Sequence, residues 1–178
     1  APTTAGVALG EGEVGISNMS NKFHIDEERS LIILKPDALQ RGLTGQILHR
    51  FERKGLKVVG FKMIELEDLI LDEHYAHHKD KPFFGSLKHY MKSAPVILLV
   101  LSGIKAIQAI RLIVGPTRGY EADAGSIRGD FAMSGQSNIV HASDSAENAE
   151  VEIKRFFKSH ELFDYQKPDF PWLYSDSV

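Results

Sequence analysis

Residues 96–114 read V-I-L-L-V-L-S-G-I-K-A-I-Q-A-I-R-L-I-V. The run from Val96 to Leu101 is apolar without interruption. A strand with no polar position has no face to give to water, so it must be covered on both sides. Val96–Leu101 is therefore predicted as a central strand with helices above and below. From Ile104 the apolar positions recur at helical spacing, which predicts a helix over 104–114.

The flanking segments repeat this alternation. Ser30–Leu34 is a short apolar strand ended by Lys35-Pro36, because the residue before a proline is held extended. Thr44 is the expected N-cap of a helix with Ile47, Leu48 and Phe51 inward, stopped at Gly55. Leu56–Leu66 reads as a strand, and Leu71–His78 and Phe84–Lys92 as short helices. Gly115–Gly125 reads as a long loop, Ser137–His141 as a short strand, and Ala146–Phe157 as an amphipathic helix. The order predicts an α+β fold: one domain with a ferredoxin-like βαββαβ antiparallel sheet covered by helices.

The whole chain has 178 residues, 43% hydrophobic and 25% charged, which suits a folded soluble domain and not a disordered one. Cysteine is absent, which excludes disulfides, Cys-ligated zinc, iron–sulfur clusters and thiol nucleophiles, and fits a reducing compartment. The longest apolar run is far short of the ~20 residues that span a bilayer. With 21 Lys+Arg against 24 Asp+Glu, a polyanionic ligand has to be met by locally placed cations. Residues 1–27 hold Gly6, Gly10, Gly12 and Gly15 and no sustained period, and are expected to be a flexible extension. Met19-Ser20 is a candidate natural start within it, and no secretory signal is expected. Gly10-x-Gly12-x-x-Gly15 has dinucleotide-fingerprint spacing, but neither a strand before it nor a helix after it, so it reads as a chance match. Residues 28–165 are expected to form the folded domain. Residues 166–178, with Pro168, Phe170, Pro171, Trp172 and Tyr174, are too apolar for a free end and are expected to pack on the domain or a neighbouring subunit.

Several residues do not fit a purely structural reading. In N-I-V-H-A-S-D-S, residues 138–145, His141 ends a strand just before a helix whose start carries Asp144 and Glu147, the spacing of a capping box. A lone histidine is more often a satisfied core residue than a nucleophile. Here Glu152, two turns into the next helix, is placed to orient the ring, and a neutral imidazole is a competent nucleophile. Arg111 sits at the margin of an apolar stripe beside Ile107, where a guanidinium either snorkels or faces a partner. Arg128, between Ile127 and Gly129 in an expected loop, suggests a planar donor suited to phosphate. Arg128-Gly129-Asp130 also matches an integrin-ligand tripeptide, a reading with little weight in this chain. Lys35 follows a buried strand, at a strand end where ligands often bind. His74 and His78, spaced i,i+4, lack the rest of a metal motif and read as a solvated helix face, and no P-loop motif is present.

Five motifs occur in order: K-P-D-A at 35–38, R-G-L-T-G at 41–45, H-Y-x-x-H-K-D-K-P-F-F at 74–84, S-I-R-G-D-F at 126–131 and N-I-V-H-A-S-D-S at 138–145. Together they resemble the nucleoside diphosphate kinase family, from about Glu28 to Tyr165. The resemblance implies a ping-pong transfer of the γ-phosphate from a nucleoside triphosphate to a nucleoside diphosphate. His141 is then the phosphorylated nucleophile, with Glu152 and Ser143 holding its ring. Tyr75 and Lys35 lie beside the transferred phosphate, and Arg111, Thr117 and Arg128 hold the others. Phe83 stacks on the base with Leu87 near it, and Lys35 and Asn138 contact the ribose. It also implies Mg²⁺ carried by the nucleotide phosphates rather than by protein ligands, a cytoplasmic location, and a homo-oligomer built from dimers, whether dimer, tetramer or hexamer.

The chain departs from the family pattern at Ala142, at Gly135-Gln136-Ser137, and in the long loop, where Gly119 and Ala124 replace usual prolines. Losing proline raises the entropy cost of ordering a loop, and in this family that loop helps build trimers, so a weakened hexamer is expected. Two other classes compete. A non-catalytic nucleotide-binding relative conflicts with the complete set of catalytic-type positions. An RNA-binding module conflicts with an aliphatic central strand and a net charge of −3.

Overall fold

The computed structural model describes residues 26–174. Four strands form one antiparallel sheet: β1 (Glu27–Leu34), β2 (Lys57–Ile64), β3 (Val96–Ile104) and β4 (Val140–Ala142), in the spatial order β2-β3-β1-β4. The apolar run is central, between β2 and β1, and is buried at every position. Strand side chains alternate between faces, so β1 feeds two cores. Ile32 and Leu34 pack with α2 (Thr44–Arg53) and α5 (Ala106–Val114) on one face. Leu31 and Ile33 pack on the other with α3 (Asp68–His74), α4 (Phe84–Met91) and α7 (Ala146–Phe156).

Several boundaries differ from the sequence reading. Ile104 pairs with Glu27 and remains in β3, and the helix starts at Ala106 after Lys105, whose φ is 54°. Glu28 of β1 then accepts a hydrogen bond from Ile107 N at 3.0 Å, satisfying one of that helix's first amides. Leu43, not Thr44, is the N-cap of α2. The segment read as helix to His78 breaks at Tyr75 into α3 and a 3-10 turn, Ala76–His78. Three short helices were not anticipated, α1 (Pro36–Gln40), α6 (Ile127–Phe131) and α8 (Phe170–Leu173), and the long loop contains a 3-10 turn, Gly119–Glu121. The proposed capping box is absent: Ser145 caps α7 through Asn148 N at 3.1 Å, while Asp144 accepts from the Asn148 side chain at 2.7 Å.

The glycine-rich extension lies outside the described residues except at its end, where Glu27 opens β1; the Gly10–Gly15 match lies outside them altogether. Residues 175–178 lie outside them as well. The described part of the tail, including α8 (Phe170–Leu173), crosses its own chain: Tyr174 Oη accepts from Ile104 N at 3.2 Å. Leu173 covers Gly55, where a Cβ would come within 2.6 Å of Leu173 Cδ2.

Candidate active site

β4 is short because the chain turns sharply before it. Ile139 has a φ of 74°, a backbone conformation that a β-branched residue rarely adopts. Val140 N donates to Asn138 O at 2.8 Å, closing a γ-turn around Ile139. The strained turn is clamped from α1: Asp37 Oδ2 accepts from Ile139 N at 3.1 Å, Asp37 Oδ1 accepts from Tyr90 Oη, and Lys35 N donates to Ile139 O at 2.9 Å. This turn places Asn138 and His141 on either side of a β-strand end. Lys35, from the end of β1, lies against them.

His141 pairs with Ile33 across the sheet and reaches Glu152 of α7, Nε2 to Oε2, at 3.0 Å. Ser143 Oγ donates to the same carboxylate oxygen at 2.7 Å and accepts from Leu31 N at 3.0 Å. Burial alone would push the Glu152 carboxyl up, but hydrogen bonds from His141 and Ser143 outweigh it and hold it below its ordinary range. An ionised carboxylate only accepts, so it selects the tautomer with the proton on His141 Nε2 and leaves Nδ1 as the lone-pair nitrogen. Ser143 thus acts on His141 through Glu152.

Lys35 Nζ donates to Asn138 Oδ1 at 2.7 Å, and Asn138 Nδ2 donates to the carbonyls of Thr117 and Gly135, each at 2.9 Å. Burial, with Arg128 nearby, lowers the Lys35 pKa to about 8. Arg128 lies on α6 rather than in a loop, capped by Ser126 Oγ accepting from Gly129 N. Its guanidinium donates to Gly115 O at 2.9 Å, Val140 O at 2.6 Å and Asn138 O at 3.2 Å. It is therefore a half-buried brace of the cleft floor, with its pKa lowered to about 10 by burial and Arg111. Asp130 pairs with Arg50 and Gly125 N, so Arg128-Gly129-Asp130 is folded into a helix rather than presented on an extended loop. Gly129 allows this fold, since a Cβ there would lie 1.9 Å from Asp123 O.

A cleft of about 930 Å³ joins these groups. Of the residues singled out from the sequence, all but Ser143 line it: Lys35, Tyr75, Phe83, Leu87, Arg111, Thr117, Arg128, Asn138, His141 and Glu152. Tyr75 is buried with its hydroxyl unpartnered, and burial, with Glu152, raises its pKa and keeps it protonated. Phe83 is exposed at the rim over buried Leu87, with the His78 ring edge-on to it at 5.2 Å. Arg111 is exposed on the α5 wall.

The sequence reading missed His74. It is not on a solvated face: it is 7% exposed, its ring 4.9 Å from that of His141. Leu71, three residues earlier and buried, carries the helical spacing that marks this position as inward. Arg155 donates to its Nδ1 at 3.1 Å, and its Nε2 is buried without a hydrogen-bond partner, which costs about 1–3 kcal/mol. His74, His141 and Glu152 bring ligand-type atoms within 4.8 Å of one another. That set does not fit magnesium, which takes six oxygens. The surrounding Lys35 and Arg128 favour an anion instead.

A family model described as nucleoside diphosphate kinase matches residues 28–162. The nucleoside diphosphate kinase of Parabacteroides distasonis is 53% identical over 149 residues, which cover 84% of this chain and 97% of the relative. That of Methanothermobacter thermautotrophicus is 50% identical over 149 residues, 84% of this chain and 99% of the relative. Among solved structures, a halophilic nucleoside diphosphate kinase from Halobacterium salinarum in complex with CDP has a TM-score of 0.81 at 40% identity, covering 83% of this chain and 99% of that one. A nucleoside diphosphate kinase family protein from Babesia bovis has a TM-score of 0.80 at 43% identity with the same coverage. With the motifs in order along the chain, their side chains gathered in one cleft and these matches spanning nearly all of the described residues, the chain belongs to the nucleoside diphosphate kinase family.

Proposed function

We propose that this chain is a nucleoside diphosphate kinase that exchanges the γ-phosphate between a nucleoside triphosphate and a nucleoside diphosphate through a phosphohistidine at His141. One observation carries the reading: Glu152, fixed by Ser143, holds Nε2 of a histidine that lines a cationic cleft, so Nδ1 is the nitrogen left to react. In the first half-reaction Nδ1 attacks the γ-phosphorus. The N–P bond forms as the bond to the bridging oxygen breaks, and that electron pair leaves on the diphosphate. In the second, a terminal oxygen of the acceptor diphosphate attacks, the N–P bond breaks, and its pair returns to Nδ1.

Phosphoryl transfer is mainly positioning and charge stabilisation. Lys35, Arg111 and Arg128 supply positive charge around the phosphates, Tyr75 a hydroxyl donor, and Thr117 a further polar contact. Phe83 and Leu87 take the base, and Asn138 with Lys35 the ribose. Stacking tolerates any ring, so broad nucleoside specificity follows. The CDP complex of the Halobacterium relative supports a nucleotide in this cleft. Mg²⁺ held by the nucleotide phosphates would supply further charge neutralisation beside Lys35, Arg111 and Arg128.

The same reading carries a catalytic domain over 28–165, a cytoplasmic location and a homo-oligomer built from dimers. No helix among the described residues is long and apolar enough to cross a membrane. The edge strand β2 exposes Phe61 and Met63, apolar surface that a second copy would cover. A coupled assay with ATP and dTDP tests the function. Turnover that disappears in His141→Ala supports it; nucleotide binding without turnover would make the chain a non-catalytic relative.

A further inference from the structure

The transfer chemistry leaves His74 without a task, although it stands against the reacting histidine. Its ring meets that of His141 edge-on, with centroids 4.9 Å apart and planes at 78°. Tyr75 and Phe156 pack on it in the same T-shaped manner, at 4.7 and 5.2 Å, so it has little freedom to turn. Arg155, one turn beyond Glu152 on α7, donates to its Nδ1 at 3.1 Å and is itself held by Glu73, Nε to Oε1, at 3.0 Å. A guanidinium never accepts, so the His74 proton is on Nε2, buried and without a partner. A position that served only to pack would be filled better by phenylalanine, which leaves no N–H unpaired.

We propose that His74 is a positioning residue for His141, an inference that rests on the phosphohistidine reading. Pinned by Arg155, its ring fixes the orientation of the His141 imidazole, keeping Nε2 on Glu152 and Nδ1 open to the nucleotide. Glu152 holds one nitrogen of His141; His74 restrains the ring as a whole. Arg155 joins the two restraints, because it and Glu152 project from the same helix.

The test compares wild type with His74→Phe and Arg155→Leu. Three quantities are measured: rapid-quench labelling of His141 from γ-³²P-ATP, steady-state kinetics with dTDP, and ¹⁵N NMR of the histidine rings. Both variants are expected to phosphorylate His141 about 10- to 100-fold more slowly, with nucleotide KM within about twofold of wild type. Wild-type His141 should show one tautomer and the variants a mixture, a change that lost packing alone does not produce. Arg155→Leu keeps the test open where His74→Phe folds poorly. Wild-type labelling rates in a folded variant, a loss confined to KM, or an unchanged tautomer would overturn the proposal. Failure to label wild-type His141 at all would instead defeat the phosphohistidine reading beneath it.

Discussion

Lys35 shows how a single side chain is set at odds with its surroundings. Burial and Arg128 bring its pKa from an ordinary 10.5 to about 8. Between those values the unfolded chain holds a proton that the native chain has released. This group therefore disfavours folding at neutral pH, and stability recovers as pH rises from 8 toward 10.5. Binding has the opposite sense, because the phosphate needs the charge: KM for nucleotide should rise as pH passes about 8, read from initial rates across pH. His74, facing His141, Glu152, Arg155 and His77, has its pKa lowered to about 3, chiefly by burial. The unfolded chain takes up that proton near 6.5 and the native one does not, so stability falls as pH drops below 6.5. His74→Phe should remove about 2 kcal/mol of the loss between pH 7 and pH 5 in urea titrations. Glu152→Gln should lower kcat about 10- to 100-fold with little change in KM, since it disturbs ring placement rather than nucleotide contacts. At this scale, chemistry-bearing residues were legible wherever a motif carried them. His74 was not, because adjacent His77 and His78 made its helix look solvated, and only the spacing from Leu71 betrays the inward face.

Elements carry the strain that places those residues. The long helices were readable because each follows a period of 3.6 over several turns, and β3 because its apolar run is unbroken. The short pieces were not: α6 has five residues and no period, and is defined by the Ser126 cap and by Gly129 lying against Asp123. Likewise the reading of 137–141 as a strand failed at Ile139, where tertiary hydrogen bonds from Asp37 and Lys35 hold a conformation that propensity disfavours. Gly129→Ala is predicted to displace α6 and destabilise the fold by about 3 kcal/mol, the upper range for overpacking. It should also weaken nucleotide binding, because Arg128 loses its three carbonyl anchors. Urea titration with an unchanged slope, alongside KM, checks both.

At the scale of the whole molecule, a nucleotide-sized, cationic cleft opens at a sheet end, on a chain with a formal charge of −3. Local cations, not the overall field, meet the phosphates. In the long loop, Gly119 stands where the motif resemblance leads one to expect a proline. A Cβ there would lie 2.2 Å from Ala132 O, and Gly119 N reaches Ser134 O at 3.3 Å, so a proline does not fit this loop without backbone movement. Weak association beyond the dimer is expected, and a stable hexamer by light scattering at micromolar concentration would contradict it. The central claim is the covalent relay. The wild-type chain incubated with γ-³²P-ATP and Mg²⁺ should acquire an acid-labile, base-stable label that unlabelled dTDP removes, and His141→Ala should acquire none. Equal labelling of His141→Ala, or wild-type turnover with no labelled intermediate, would contradict the account.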